Sequence, residues 1–272
     1  QKTAYEMLRS LVGSEMCIRD SFLWANGMKE TLDTLSVGNL QFLQAENGYR
    51  YSLDPILLSR FVNIKKSVKV VDLGAGCGIL PLLLARLSDV QELIGIELQS
   101  GLAERSRRNV KLNALQNRVQ ILQGDIRDIR NLLPASCADQ IVSNPPYRQL
   151  DSGRIAPNDE RAVARHELAG GLADFVAAAD WLLKNGGSFA VIYLAERLPE
   201  LMAAMVAARI EPKRLRMVHP RQGAAAKMVL LEGLKGGRPG LQVERPLYIY
   251  KDNKAGRDYT EEVLQMYGKL PV

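Results

Sequence analysis

The sequence predicts an α/β fold organised around a doubly wound, mostly parallel sheet. Between residues 68 and 194, short apolar and β-branched runs alternate with helix-period stretches, at spacings that require crossover connections. The first run passes directly into the glycine-rich segment Asp72-Leu73-Gly74-Ala75-Gly76-Cys77-Gly78. The residues with chemical potential cluster just after the runs, where open parallel sheets bind their ligands.

Residues 35–51 alternate polar with apolar, and Leu40, Phe42, Tyr49 and Tyr51 flank Asn47-Gly48. That dipeptide suits a tight hairpin turn, so a short N-terminal hairpin is expected. A short helix is expected over 53–62, with Asp54 as N-cap and Pro55 at its first position. Strands are then expected at 68–73, 92–97, 119–123, 138–143 and 188–194, with helices at 79–87, 101–112 and 172–183. After a helix at 198–208, residues 214–218 and 227–232 read as closing strands, 247–250 as a further apolar run and 260–267 as a terminal helix. The glycine-rich stretch 236–240 is a turn and not a domain linker.

One domain is expected over 28–272, with the hairpin and helix at 35–66, the core at 67–195 and a basic closing part at 196–272. Residues 1–27 lack both clear periodicity and an apolar signal region. They are set aside as a non-native or disordered leader, with Met28 as a candidate start.

The chain has 272 residues, of which 47% are hydrophobic and 24% charged, which is ordinary for a globular protein with a sizeable core. No apolar run approaches the roughly 20 residues of a membrane-spanning helix. Cys17, Cys77 and Cys137 are odd in number and widely spaced, which argues against a disulfide framework and for a reducing, cytoplasmic setting. With only His166 and His219 beside them, a metal site is not expected. The formal net charge is +6, and the surplus falls between Arg209 and Arg257, a candidate footprint for a phosphate backbone. Composition does not address oligomeric state, and a monomer is the working expectation.

In the glycine-rich turn, Gly74 and Gly76 fit a dinucleotide-binding pattern, but Ile79 stands where its third glycine would be. The turn therefore suits close approach to an uncharged or zwitterionic ligand better than a pyrophosphate cradle. Glu97 ends the second strand, 25 residues after Asp72, where a carboxylate can accept both ribose hydroxyls. Asp125 follows the third strand, where it can accept from an adenine amino group or cap a helix instead. Together these acids and the glycine turn point to a nucleoside ligand, with Ala75, Cys77, Gly78, Leu98 and Ile126 lining the same stretches.

The fourth strand runs into Asn144-Pro145-Pro146-Tyr147. The prolines stiffen the turn and remove backbone donors, leaving the Asn144 side-chain oxygen and the Pro145 carbonyl as acceptors. Both can accept from one NH2 group, drawing its lone pair out of conjugation towards an electrophile. Tyr147 can stack on the planar group so held.

These residues resemble the class I S-adenosylmethionine-dependent methyltransferases that modify amino groups. More narrowly, residues 34–268 look like the bacterial tRNA(Val) adenine-N6 methyltransferases, on Gly48-Tyr49-Arg50-Tyr51-Ser52-Leu53-Asp54, Val218-His219-Pro220-Arg221 and Tyr259-Thr260-Glu261-Glu262-Val263-Leu264. The resemblance implies a Rossmann-like, seven-stranded, mostly parallel sheet with an antiparallel closing strand. It also implies a bacterial tRNA-modifying enzyme that methylates N6 of adenine 37, beside the anticodon. S-adenosylmethionine would sit on Asp72, Gly74, Ala75, Gly76, Cys77, Gly78, Glu97, Leu98, Asp125, Ile126 and Asn144. The target nitrogen would be held by Asn144, Pro145, Pro146 and Tyr147, and RNA met by Arg148, Arg165, His166, His219, Arg221 and Lys227.

Two alternatives stand beside this reading. Enzymes that methylate a glutamine amide in release factors share the Asn-Pro-Pro-Tyr motif, but they carry a helical N-terminal domain where this chain has about 40 residues between Met28 and the first sheet strand. A non-catalytic RNA-binding scaffold on the same fold would not need Asn144 to Tyr147 intact.

Overall fold

The computed structural model describes residues 19–23, 29–46, 52–64, 68–147, 170–252 and 258–268. At the N-terminal end, β1 (Arg19–Leu23), β2 (Lys29–Leu35) and β3 (Leu40–Ala45) form an antiparallel sheet in that order. Five residues of the segment set aside above thus pair as its outer strand, Arg19 opposite Asp33.

The structure contains a hairpin ahead of the Asn47-Gly48 position read from the sequence. Leu40–Ala45 pairs back onto Lys29–Leu35, with Leu35 opposite Leu40. The reversal falls at Gly38 and Asn39, both in the left-handed region at φ 68° and 50°. Gly-Asn is as good a hairpin signal as Asn-Gly, and the apolar pairing across 35–40 selects it. Asn47-Gly48 lies outside the described residues.

The second sheet carries the core. Helix α1 (Asp54–Phe61) precedes β4 (Lys69–Leu73), α2 (Ile79–Leu87), β5 (Glu92–Glu97), α3 (Ser100–Leu112) and β6 (Val119–Gln123). A 3-10 turn at Ile126–Asp128 and the short α4 (Ile129–Leu132), neither expected, lead to β7 (Ala138–Ser143). Then come α5 (Leu172–Leu182), β8 (Leu183–Leu194), α6 (Leu198–Ala207), β9 (Ile210–His219), β10 (Met228–Lys235), β11 (Gln242–Val243), β12 (Leu247–Tyr248) and α7 (Glu261–Met266).

The order across this sheet is β11-β9-β10-β8-β7-β4-β5-β6, and β12 also pairs with β9. Strands β4 to β8 pair in parallel, and β10 runs antiparallel to both β8 and β9. The expected seven-stranded, mostly parallel sheet with an antiparallel closing strand is therefore present, from β9 to β6. Chain order reverses between β4 and β7, so the loops leaving these two strands diverge and leave a crevice between them.

Strand alternation divides the core into two layers. Val70, Val142, Ala190 and Ile192 pack with α1, α2 and α3 on one face. Val71, Leu73, Ile141, Phe189 and Val191 pack with α5 and α6 on the other. α2 is buried along almost its whole length because it lies between the sheet and the N-terminal elements.

Three boundaries moved for local reasons. β8 begins five residues early because residues 184–187 bulge between Ala138↔Leu183 and Gln140↔Ser188, with Gly186 at φ 80°. β9 begins at Ile210 despite Pro212, because a register shift opposite Glu232/Gly233 takes up the proline's missing donor. Asp54 is the first residue of α1 and not its cap, which is Leu53.

The N-terminal sheet is fastened to α3 by side chains that imitate a strand. Asn109 accepts from Leu43 N at 2.7 Å and donates to Leu43 O at 3.1 Å. One turn later, Asn113 accepts from Gln41 N at 3.0 Å and donates to Gln41 O at 2.7 Å. Beside them Glu30 pairs with Arg105 at 2.9 Å and Arg108 at 2.8 Å, and the Glu30 and Arg105 side chains are 3% and 1% exposed.

Removing Glu30 would strand a buried guanidinium, so Glu30→Ala should lose about 3–5 kcal/mol in chemical denaturation. Burial alone would raise the Glu30 carboxyl, but hydrogen bonds from Arg108 and Arg105 outweigh it and hold it below its ordinary value. The stabilisation is therefore present above the unfolded-state pKa and lost as pH falls through the lower folded one. The wild-type denaturation midpoint should drop on acidification below the usual glutamate range, and less so in Glu30→Ala. An unchanged midpoint in the variant at neutral pH would contradict the assignment.

Candidate active site

The turn after β4 is built to bring backbone against a ligand. Gly74, Gly76 and Gly78 all have positive φ, at 80°, 57° and 86°. A Cβ at Gly78 would run into the Ser106 side chain on α3, so glycine is required there for packing as well as for conformation. Gly74 N and Ala75 N both donate to Ile96 O at 2.9 Å, Gly76 N donates to Glu97 Oε2 at 2.8 Å, and Asn109 Nδ2 donates to Cys77 O at 2.9 Å.

Glu97 is buried, and its other carboxylate oxygen accepts from Gln99 N at 2.9 Å. Leu98 is half-buried beside it. Asp72 is 1% exposed, and neither of its carboxylate oxygens has a hydrogen-bond partner among the described residues. Burial, with the Glu97 charge adding to it, pushes its carboxyl well above the ordinary range. Such a group is costly unless a ligand cation or donor completes it.

Asp125 takes the capping role that the sequence left open. Its side chain accepts from Arg127 N at 2.9 Å and pairs with the Arg127 guanidinium at 2.5 Å, at the start of the 3-10 turn. The Arg127 hydrogen bond holds the carboxyl below its ordinary value. Ile126 is buried next to it.

The turn after β7 lies alongside the glycine turn. Leu73 is in register with Ser143, whose hydroxyl donates to Leu73 O at 2.7 Å, so Gly74 and Asn144 leave adjacent strand ends. Asn144 is half-buried and Pro145 buried. The Tyr147 ring meets Tyr193 of β8 edge-on, with centroids 5.7 Å apart at 64°. Its hydroxyl donates to Asn144 Oδ1 and also lies 3.3 Å from Asp54 Oδ2.

Asp54 is 3% exposed and accepts from Ser52 Oγ at 2.7 Å. Burial raises its carboxyl, against the opposing hydrogen bonds of Ser52 and Tyr147. It also borders a small cleft lined by Val218, His219, Pro220, Lys227 and Met228. Asp54 thus stands between the residues that join β9 to β10 and the Tyr147 hydroxyl.

Of the RNA-contact candidates, His219 is oriented by Ala224 O at 2.7 Å and by the Tyr248 ring, Arg221 lies over Tyr250, and Lys227 is exposed. Arg148, Arg165 and His166 lie outside the described residues. Part of the basic surplus is spent internally: Arg214 pairs with Glu232 and Glu244, Arg216 with Glu262, and Lys235 with Asp180. Among the described residues no cluster of His, Cys, Asp and Glu could hold a metal ion, and no helix is long and apolar enough to cross a membrane. The contacts of Asp54 with Tyr147, Ser143 with Leu73, Asn109 with Cys77 and Tyr193 with Tyr147 were not read from the sequence, because each joins residues far apart along the chain.

This sheet order, with a glycine turn and an Asn-Pro-Pro-Tyr turn at its switch point, defines a class I methyltransferase that uses S-adenosylmethionine. The model of the methyltransferase small domain matches residues 54–208, and the chain belongs to that family. It is 31% identical over 179 residues to a tRNA1(Val) (adenine(37)-N6)-methyltransferase of Aeromonas salmonicida, spanning 65% of this chain and 73% of that protein. A protein of the same name from Tolumonas auensis is 28% identical over 219 residues, covering 80% and 89%. Among solved structures, a predicted O-methyltransferase from Agrobacterium tumefaciens superposes with a TM-score of 0.64 at 24% identity, covering 79% of this chain and 96% of that one, a likeness of fold.

Because the Asp72 carboxyl is raised on folding, its charge works against the fold at neutral pH, and stability is regained as pH falls through the raised folded value towards the unfolded one. Asp72→Asn should therefore raise the melting temperature of the unliganded chain at neutral pH and weaken the stabilisation produced by S-adenosylmethionine. A thermal-shift series with and without cofactor reads both effects. A lowered melting temperature with full cofactor stabilisation would oppose this role.

Proposed function

We propose that the chain transfers a methyl group to the exocyclic N6 of an adenine in tRNA, adenine 37 of tRNA1(Val) being the first candidate. The observation that carries the reading is the adjacency of Asn144 to the Gly74–Gly78 turn, set by the register of Leu73 with Ser143. The names of the relatives supply the acceptor. Asp72 is suited to the amino group of S-adenosylmethionine, Glu97 to its ribose and the glycine turn to close backbone approach. Bound there, it supplies an electrophilic methyl group on sulfonium.

The chain's own part is positioning. Asn144 Oδ1 and the Pro145 carbonyl accept the two hydrogens of the target amine, Pro146 keeps the turn rigid, and Tyr147 offers a ring face to the base. The amine needs no general base before attack, since its proton leaves after the carbon–nitrogen bond forms. In this reading His219, Arg221 and Lys227 meet the nucleotides around the target, which the nearness of His219 and Lys227 to Asp54 supports. The site of action follows the tRNA, in the cytoplasm.

The test is labelled S-adenosylmethionine offered with tRNA lacking the modification and, in parallel, with a release factor. Label should appear in tRNA as N6-methyladenosine, and Asn144→Ala should lower the rate by at least about 100-fold, as for loss of a key transition-state hydrogen-bonding group. Label confined to the release factor would replace adenine by a glutamine amide.

A further inference from the structure

Tyr147 carries one hydroxyl hydrogen and faces two acceptors, Asn144 Oδ1 and Asp54 Oδ2. In this state the hydroxyl bonds to Asn144, the same side-chain oxygen that the proposed reaction directs at the target amine. We propose that Asp54 is a positioning residue that takes the Tyr147 hydroxyl when Asn144 turns its oxygen to substrate. The inference rests on the reading that Asn144 holds the acceptor amine.

Four features support the handover. The Asp54 oxygen is already 3.3 Å from the Tyr147 hydroxyl, so only a small rotation separates the two arrangements. Asp54 is held by the Ser52 hydroxyl at 2.7 Å and by its place at the first residue of α1, so the acceptor is fixed before substrate arrives. The Tyr147 ring is half-buried and meets the Tyr193 ring edge-on, which holds the phenol near both acceptors. Finally, Asp54 borders the small cleft that also carries His219 and Lys227, so the carboxylate stands next to two of the candidate RNA-contact residues. A half-buried hydroxyl that gave up Asn144 with no second acceptor would lose a hydrogen bond, and that loss would oppose substrate engagement. Asp54 removes the penalty.

The test compares wild type, Asp54→Asn, Tyr147→Phe and the double variant under single-turnover and steady-state conditions, with thermal shift to verify folding. Asp54→Asn should lower kcat about ten-fold, the equivalent of about one charged hydrogen bond, with KM for S-adenosylmethionine changed by less than about two-fold. In the Tyr147→Phe background, where no hydroxyl competes for Asn144, the same substitution should change kcat by less than about two-fold. Equal losses in both backgrounds would overturn the proposal and leave Asp54 a helix-terminal carboxylate. A rise in KM for S-adenosylmethionine with kcat unchanged would overturn it too. If Asp54→Asn does not fold, Ser52→Ala, which frees the carboxylate from its anchor, replaces it in the same cycle. If wild type labels a release factor and not tRNA, the adenine reading falls, and the same comparison on that acceptor still decides the role of Asp54.

Discussion

The backbone of the Gly74–Gly78 turn is tied down from two sides by three residues, and the rest of the site depends on those ties. Ile96 O and Glu97 Oε2 hold it from β5, and Asn109 Nδ2 holds it from α3. Three glycines at positive φ have little intrinsic preference for one shape, so the shape must come from outside the turn. Asn109 supplies it while also clasping Leu43, so the N-terminal sheet and the ligand-facing turn share one anchor. Glu97 does the same from the other side. The carboxylate positioned for a ribose is also the acceptor that fixes the turn.

The second requirement is that two loops meet. The switch point between β4 and β7 brings the glycine turn and the Asn144 turn together, and the Ser143 hydroxyl stitches the strand ends. The two sides of the crevice differ in character. The β4 side offers a buried carboxylate, Asp72, without partners, which a cationic ligand would complete at the expense of the empty fold's stability. The β7 side offers neutral acceptors on a proline-stiffened turn, suited to an uncharged amine. That division fits a reaction between a charged donor and a neutral acceptor, in which charge is stabilised by fixed dipoles and not by a titrating base.

The basic C-terminal part has a double role. Arg214 and Arg216 are bound to carboxylates on neighbouring strands and on α7, and Arg214 also covers the Phe61 ring, so these cations hold the closing strands to α1 and α7. Of the candidate RNA-contact residues that are described, Arg221 and Lys227 lie on the β9–β10 loop, and Lys227 borders the cleft beside Asp54. Net charge counts both kinds alike and so overstates the surface available to phosphate.

The sequence by itself determined the alternation of strands and helices, the glycine turn, the acids at the strand ends and the Asn-Pro-Pro-Tyr turn. All of these are local, readable from side-chain period, from the backbone freedom of Gly74 and Gly76, and from the rigidity of Pro145 and Pro146. Tertiary structure alone decided which acceptor each group meets. The hairpin at Gly38-Asn39 is set by the pairing of Lys29–Leu35 with Leu40–Ala45, which the sequence reading did not contain. Asp54, read as a helix cap, instead points at a tyrosine 93 residues further on. A hydrogen bond's energy depends on position within a few tenths of an ångström, and positions between distant residues exist only once the sheet has assembled them.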